Sequence, residues 1–72
     1  MQKPTIGRIV HFVWMRDETT DSGDQAAIIT HVWSDTCINL CVFSPNGETK
    51  GETSVVYSDT RSSRSWHWPE KV

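Results

Sequence analysis

The stretch CINLCVF (residues 37–43), followed at once by SPNG (residues 44–47), decides the fold of this chain. Apolar residues alternate along the first seven positions, so that Ile38, Leu40 and Val42 share one face. Because side chains alternate between the two faces of a β-strand, we expect this face to be core and the other to be half-buried. Proline and glycine then stand where a tight turn requires them, which predicts that the strand ends there.

Four further runs, rich in β-branched and aromatic residues and bounded by polar segments, are typical of strands. They are Ile6–Met15, Ala26–Trp33, Ser54–Ser58 and Arg64–Trp68. The polar residues Glu48–Glu52 are interpreted as a connection.

Five short strands without helical periodicity predict a single small all-β domain spanning residues 1–72. A five-stranded SH3-like barrel or curled antiparallel sheet is the first choice, and an OB-like barrel is the second. Gly7, near the start of the first run, predicts a bulge or a close backbone approach.

The chain has 72 residues, and a domain of this size buries only about 60% of its unfolded surface. Small domains usually add disulfides, a metal or self-association. Cys37 and Cys41 lie about 13 Å apart along a strand at about 3.3 Å per residue, too far to form a disulfide with each other. We therefore expect a reducing compartment and a homo-oligomer.

The charge balance and the hydropathy pattern exclude several classes of protein. The formal net charge is −2 and the pI about 5.8, which argues against nucleic acid as the partner. No apolar run is long enough to span a membrane, and the N-terminus lacks the apolar core of a signal peptide. A cytoplasmic protein is therefore expected.

The residues that most often carry chemistry do not form a recognisable catalytic motif. His11, His31 and His67, with the two cysteines, could supply a zinc set. However, Cys-x3-Cys within one strand is not a zinc-knuckle spacing. The sequence therefore predicts neither an enzyme, nor a metal site, nor a cofactor.

The stretch RSSRSWHW (residues 61–68) has the composition of a ligand pocket. Aromatic faces stack on bases, and arginine side chains bind phosphate through two hydrogen bonds at once. Trp66 and Trp68 share one strand face, with Arg61 and Arg64 just upstream. Two alternatives remain open: the tryptophans form core or subunit interface, and the arginines are solvated loop residues.

Three blocks, KPTIGRIVHF (residues 3–12), AAIIT (26–30) and WHWPE (66–70), resemble a group of small bacteriophage proteins with no established activity. The resemblance covers most of the chain. It implies a viral accessory protein acting in the cytoplasm of an infected bacterium.

Together these observations lead to the hypothesis of a non-catalytic anti-defence protein that sequesters a small (cyclic) nucleotide signal. Its candidate ligand-binding residues are Arg8, His11, Arg61, Arg64, Trp66 and Trp68. The alternatives are a protein-interaction module that inhibits a host factor and a minor virion-associated component.

Overall fold

The computed structural model describes residues 2–14, 24–60 and 62–69, and these form a closed five-stranded barrel. Its strands are β1 (Ile9–Val13), β2 (Asp24–Val32), β3 (Cys37–Phe43), β4 (Thr49–Tyr57) and β5 (Ser65–His67). Consecutive strands are neighbours all the way round, and β5 pairs antiparallel with β1 to close the barrel. The predicted small all-β barrel is confirmed.

Strand β3 has the predicted bounds and the predicted alternation. Ile38, Leu40 and Val42 are buried, whereas the residues between them are half-buried. The turn after β3 is also confirmed, because the Gly47 amide donates to the Ser44 carbonyl at 2.9 Å. Gly47 has a φ of 88°, in the left-handed region that glycine adopts readily.

Residues from all five strands meet in a single core inside the barrel. The buried apolar members are Val10, Phe12, Ala27, Ile29, Ile38, Leu40, Val42, Val55 and Trp66. Trp66 is fully buried, and its indole Nε1 donates to the Thr36 carbonyl at 3.0 Å.

Strand β4 begins at Thr49, within the segment predicted to be a connection, so the prediction of a strand over residues 54–58 is wrong at its start. The N-terminal half of β4, which was not predicted to be a strand, pairs with β3 through Phe43↔Thr49 and Cys41↔Gly51. Most of β4 is exposed, so its residues carry no apolar alternation that a sequence pattern could reveal.

A bulge interrupts the β3–β4 pairing between Ile38 and Leu40. At the bulge Ser54 has a φ of 54°, which a residue with a Cβ seldom adopts. The Asn39 side-chain oxygen stabilises this conformation, because it accepts hydrogen bonds from the Ser54 amide at 2.8 Å and from Trp33 Nε1 at 2.9 Å.

Strand β1 begins three residues later than the predicted run, because a turn precedes it. The Arg8 amide donates to the Thr5 carbonyl at 3.2 Å, and Gly7 within this turn has a φ of 92°. The Gly7 amide also donates to the Ile29 carbonyl at 2.8 Å and the Ile29 amide donates to the Arg8 carbonyl at 2.9 Å, so two residues oppose one, as in the predicted bulge. Nothing lies within 4 Å of a Cβ placed on Gly7, so the alternative prediction of a close backbone approach is wrong.

Strands β4 and β5 are parallel although only a short connection joins them. They overlap at two residue pairs, Val56↔Ser65 and Tyr57↔Trp66, so the chain need not travel back along β4. Cys37 and Cys41 on β3 are both free thiols, as predicted. In the part of the chain that the structure describes, no helix has the length and apolar character to cross a membrane.

Candidate functional site

An open groove lies at the end of the barrel where β1 finishes, with a volume of about 390 Å³. Phe12 and Val42 contribute its apolar lining, and Trp14, Lys50 and Glu52 its aromatic and charged lining. The volume falls at the lower end of the range for small-molecule sites, roughly 300–1,000 Å³. The groove is therefore of the size expected for a small ligand.

Two cations lie over the Trp14 ring, and one of them, Lys50, also lines this groove. Lys50 Nζ lies 4.1 Å from the Trp14 ring centroid, and Arg64 Cζ lies 5.3 Å from it. Both distances are within the range of cation–π attraction. Trp14 is 37% exposed, so part of its surface remains open to solvent.

The backbone brings Arg64 to this tryptophan. Its amide donates to the Val13 carbonyl at 2.7 Å, and its φ is 57°. This hydrogen bond extends the β1–β5 pairing by one residue, next to the Val13↔Ser65 pair. Arg64 therefore stands beside Trp14, the residue that follows β1.

Glu52 connects the two cations. Its Oε1 lies 3.2 Å from Arg64 Nη2 and its Oε2 lies 3.6 Å from Lys50 Nζ. The Glu52 side chain is 8% exposed, whereas those of Lys50 and Arg64 are 62% and 66% exposed. A buried carboxylate requires charged partners, so Glu52 keeps both cations near Trp14 while leaving them accessible to a ligand.

The five predicted ligand residues that the structure describes do not form a single pocket. Arg8 Cζ lies 5.3 Å from the Trp68 ring centroid. Because β1 and β5 are antiparallel, this pair is at the opposite end of the seam from Arg64 and Trp14. Arg8 and Trp14 are six residues apart, which is about 20 Å along a strand. The structure thus separates Arg8 and Trp68 from Arg64.

The remaining predicted residues have three different positions. Trp66 is in the core and presents no surface to a ligand, as the alternative interpretation of the tryptophans allowed, so we do not retain it as a binding residue. His11 is half-buried on the outside of the barrel. Arg61 lies outside the described residues.

Outside the barrel, His11 and His67 lie opposite each other across the β1–β5 seam, with Asp24 beside them. Asp24 Oδ2 is 3.2 Å from His67 Nε2 and 3.4 Å from His11 Nδ1. His31 takes no part, because its ring packs against Trp33 at a centroid distance of 4.3 Å.

Sequence reasoning missed Trp14, Lys50 and Glu52 in the groove and Asp24 beside the histidines. Lys50 and Glu52 belong to the segment interpreted as a connection, and Asp24 lies between the first two predicted strands. One signal was available: Trp14 continues the alternation of Val10 and Phe12 by two residues.

Comparisons of the chain with protein-family models, with curated proteins and with solved structures find no match.

Proposed function

We propose that this protein is a non-catalytic bacteriophage accessory protein that sequesters a small nucleotide in the groove beside Trp14. The carrying observation is the exposed Trp14 ring, with Lys50 and Arg64 both within cation–π distance of it. This arrangement combines the two elements of nucleotide binding, an aromatic face for the base and cations for the phosphate.

In this proposal the base stacks on Trp14 and the phosphate oxygens accept hydrogen bonds from Lys50 and Arg64. An exposed cation–π contact contributes about 0.5–1 kcal/mol, whereas stacking of a base on an aromatic side chain contributes about 1–3 kcal/mol. A base that displaces one cation from the ring therefore gains free energy, and the displaced cation becomes available to the phosphate.

Glu52 restricts how far the two cations can move. Leaving the buried carboxylate without either cation costs about 2 kcal/mol or more, so at least one of the two must remain paired with it. The groove volume of about 390 Å³ favours a ligand with a single base.

The anti-defence role rests on the resemblance of residues 3–12, 26–30 and 66–70 to small bacteriophage proteins. A protein that only sequesters a nucleotide signal of the host needs a rigid pocket and no catalytic residue. Its place of action would be the cytoplasm of the infected bacterium.

The second candidate is a protein-interaction module that blocks a host factor or assembles with itself. Five large apolar side chains are exposed among the described residues: Ile6, Ile9, Trp14, Trp33 and Val56. A protein partner or a second copy of the chain would bury such side chains.

The test is a thermal-shift screen of the wild type against linear and cyclic nucleotides, with Trp14→Ala and the matched control Trp33→Ala. A ligand at a hundredfold excess over Kd stabilises the folded state by about 2.7 kcal/mol, a rise of roughly ten degrees or more in a domain of this size.

We expect the shift to persist in Trp33→Ala and to be lost or strongly reduced in Trp14→Ala. A flat response across the panel would reject the nucleotide proposal, and retention of binding by a folded Trp14→Ala variant would reject the groove. A pull-down from host lysate with Ile9→Asp as control would then test the protein-interaction candidate.

A further inference from the structure

Three adjacent strands bring His11, Asp24 and His67 together on the outer face of the barrel. His11 on β1 is the register partner of His67 on β5. Asp24 on β2 is the register partner of Val13, two residues along β1 from His11. Diagonal neighbours of this kind lie about 7–8 Å apart, within reach of an imidazole and a carboxylate.

The distances between their polar atoms match those of a tetrahedral metal site. Ligand atoms at about 2.0–2.1 Å from zinc are about 3.3 Å from each other in a tetrahedron. Asp24 Oδ2 is 3.2 Å from His67 Nε2 and 3.4 Å from His11 Nδ1. Two of the three distances between ligand atoms therefore already have the value that a tetrahedral site requires.

We infer that His11 Nδ1, His67 Nε2 and Asp24 Oδ2 bind one divalent transition-metal ion per chain, with Zn²⁺ as the best match. Two imidazoles and one carboxylate suit zinc and its first-row neighbours. Calcium and magnesium require oxygen ligands and fit this set poorly. With three protein ligands, the fourth position is left to water or an external ligand.

The third distance, between the two histidine nitrogens, is the one that would have to shorten when an ion binds. The three ligand atoms lie within 4.8 Å of one another, so the two histidine nitrogens have room to approach. The His67 side chain is 5% exposed and that of His11 is 34% exposed. An ion arriving from solvent would therefore meet the more exposed His11 and Asp24 first and reach the buried His67 Nε2 last.

The bound ion would hold together the weakest part of the barrel. The β1–β5 seam has three residue pairs and the β4–β5 contact has two. Neither cysteine supplies a disulfide. An ion shared by β5, β1 and β2 would stabilise the seam directly. When only the folded state has the site, the free energy of metal binding adds to the free energy of folding. This site is independent of the groove and of the proposed function.

The same three residues also satisfy a simpler arrangement, in which His67 is hydrogen-bonded to Asp24 and His11 lies at ion-pair distance from the same carboxylate oxygen. The two arrangements differ in their response to metal. The hydrogen-bond network needs no ion, whereas the metal site gains stability and binds with one-to-one stoichiometry.

The experiment titrates Zn²⁺ into the chelator-treated full chain, with calorimetry and thermal unfolding as readouts and Mg²⁺ as the control ion. The variants are His11→Ala and Asp24→Asn, which spare the buried His67. His31→Ala removes an exposed histidine from β2 and is the matched control. Circular dichroism verifies that each variant folds.

We expect one Zn²⁺ per wild-type chain, a raised Tm with Zn²⁺ but not with Mg²⁺, and the same result for His31→Ala. Zn²⁺ affinity should fall at least tenfold in His11→Ala and in Asp24→Asn. If Zn²⁺ leaves the wild-type Tm unchanged, or if the folded variants bind it as tightly as the wild type, the three residues are a hydrogen-bond network and the metal site is rejected.

Discussion

The Trp66 indole Nε1 donates a hydrogen bond to the carbonyl of Thr36, which also accepts one from the amide of Tyr57 at 2.8 Å. One carbonyl before β3 thus anchors the end of β4 and the largest side chain of the core. The tryptophan that the sequence presented as a ligand residue is instead part of what closes the barrel.

Trp66→Phe is predicted to destabilise the fold by about 2 kcal/mol, from lost volume and one lost hydrogen bond. The cost stays moderate because Thr36 still accepts from Tyr57. Urea unfolding of the variant measures this free energy. Trp68→Phe, whose residue is only partly buried, is the control and should cost less; equal costs would contradict the central position of Trp66.

Ser54→Gly is predicted to leave the fold as stable as the wild type or to stabilise it by up to about 1 kcal/mol. Glycine adopts the φ of 54° without the penalty that a Cβ imposes. The neighbouring Thr53→Gly is the control. It should cost about 0.5–1 kcal/mol, since Thr53 is in β4 and outside the positive-φ positions. Destabilisation by Ser54→Gly, measured by urea unfolding, would contradict the strained bulge.

Removing the Glu52 carboxylate is predicted to lower the stability less than removing the two cations that contact it. Glu52→Gln removes the buried charge and leaves two exposed cations, so it should cost less than about 1 kcal/mol. The double variant Lys50→Gln, Arg64→Gln leaves the buried carboxylate without these cations and should cost about 2 kcal/mol or more.

Chemical unfolding of both proteins at low and high salt measures this difference. Equal stabilities would mean that Glu52 is better solvated than its 8% exposure indicates.

Arg64→Gln is predicted to weaken nucleotide binding at least tenfold, because a hydrogen bond to a charged group contributes about 1.5–3 kcal/mol. Arg8→Gln is the matched control, since each arginine lies 5.3 Å from a tryptophan ring at opposite ends of the seam. Calorimetry with the nucleotide from the thermal-shift screen compares them. If Arg8→Gln is the variant that loses affinity, the ligand binds beside Trp68 instead.

A strand could be predicted where one of its faces is buried, because apolar residues then occupy every second position of the sequence. Strand β3 buries every second residue, and its bounds were predicted to the residue. Strand β4 buries mainly Glu52 and Val55, so half of it lacked any apolar signal. Its pairing with β3 comes from backbone hydrogen bonds, which most side-chain patterns permit.

The types of residue in the candidate sites could be predicted from the sequence, but which of these residues lie next to each other could not. Tryptophan and arginine were expected to form a ligand pocket, and Arg64 does lie against a tryptophan. That tryptophan is Trp14 rather than Trp66, because the antiparallel β1–β5 register sets the end of one strand beside the start of the other.

The sequence by itself determined the all-β class, the turn at residues 44–47 and the inward face of β3, because these depend on alternation and on local backbone preferences. Only the tertiary structure decided which side chains meet. Barrel closure buried Trp66, separated Arg8 from Arg64 and brought His11, Asp24 and His67 within 4.8 Å. The physical reason is that strand register and closure arise from contacts between residues far apart in the chain, which local patterns do not encode.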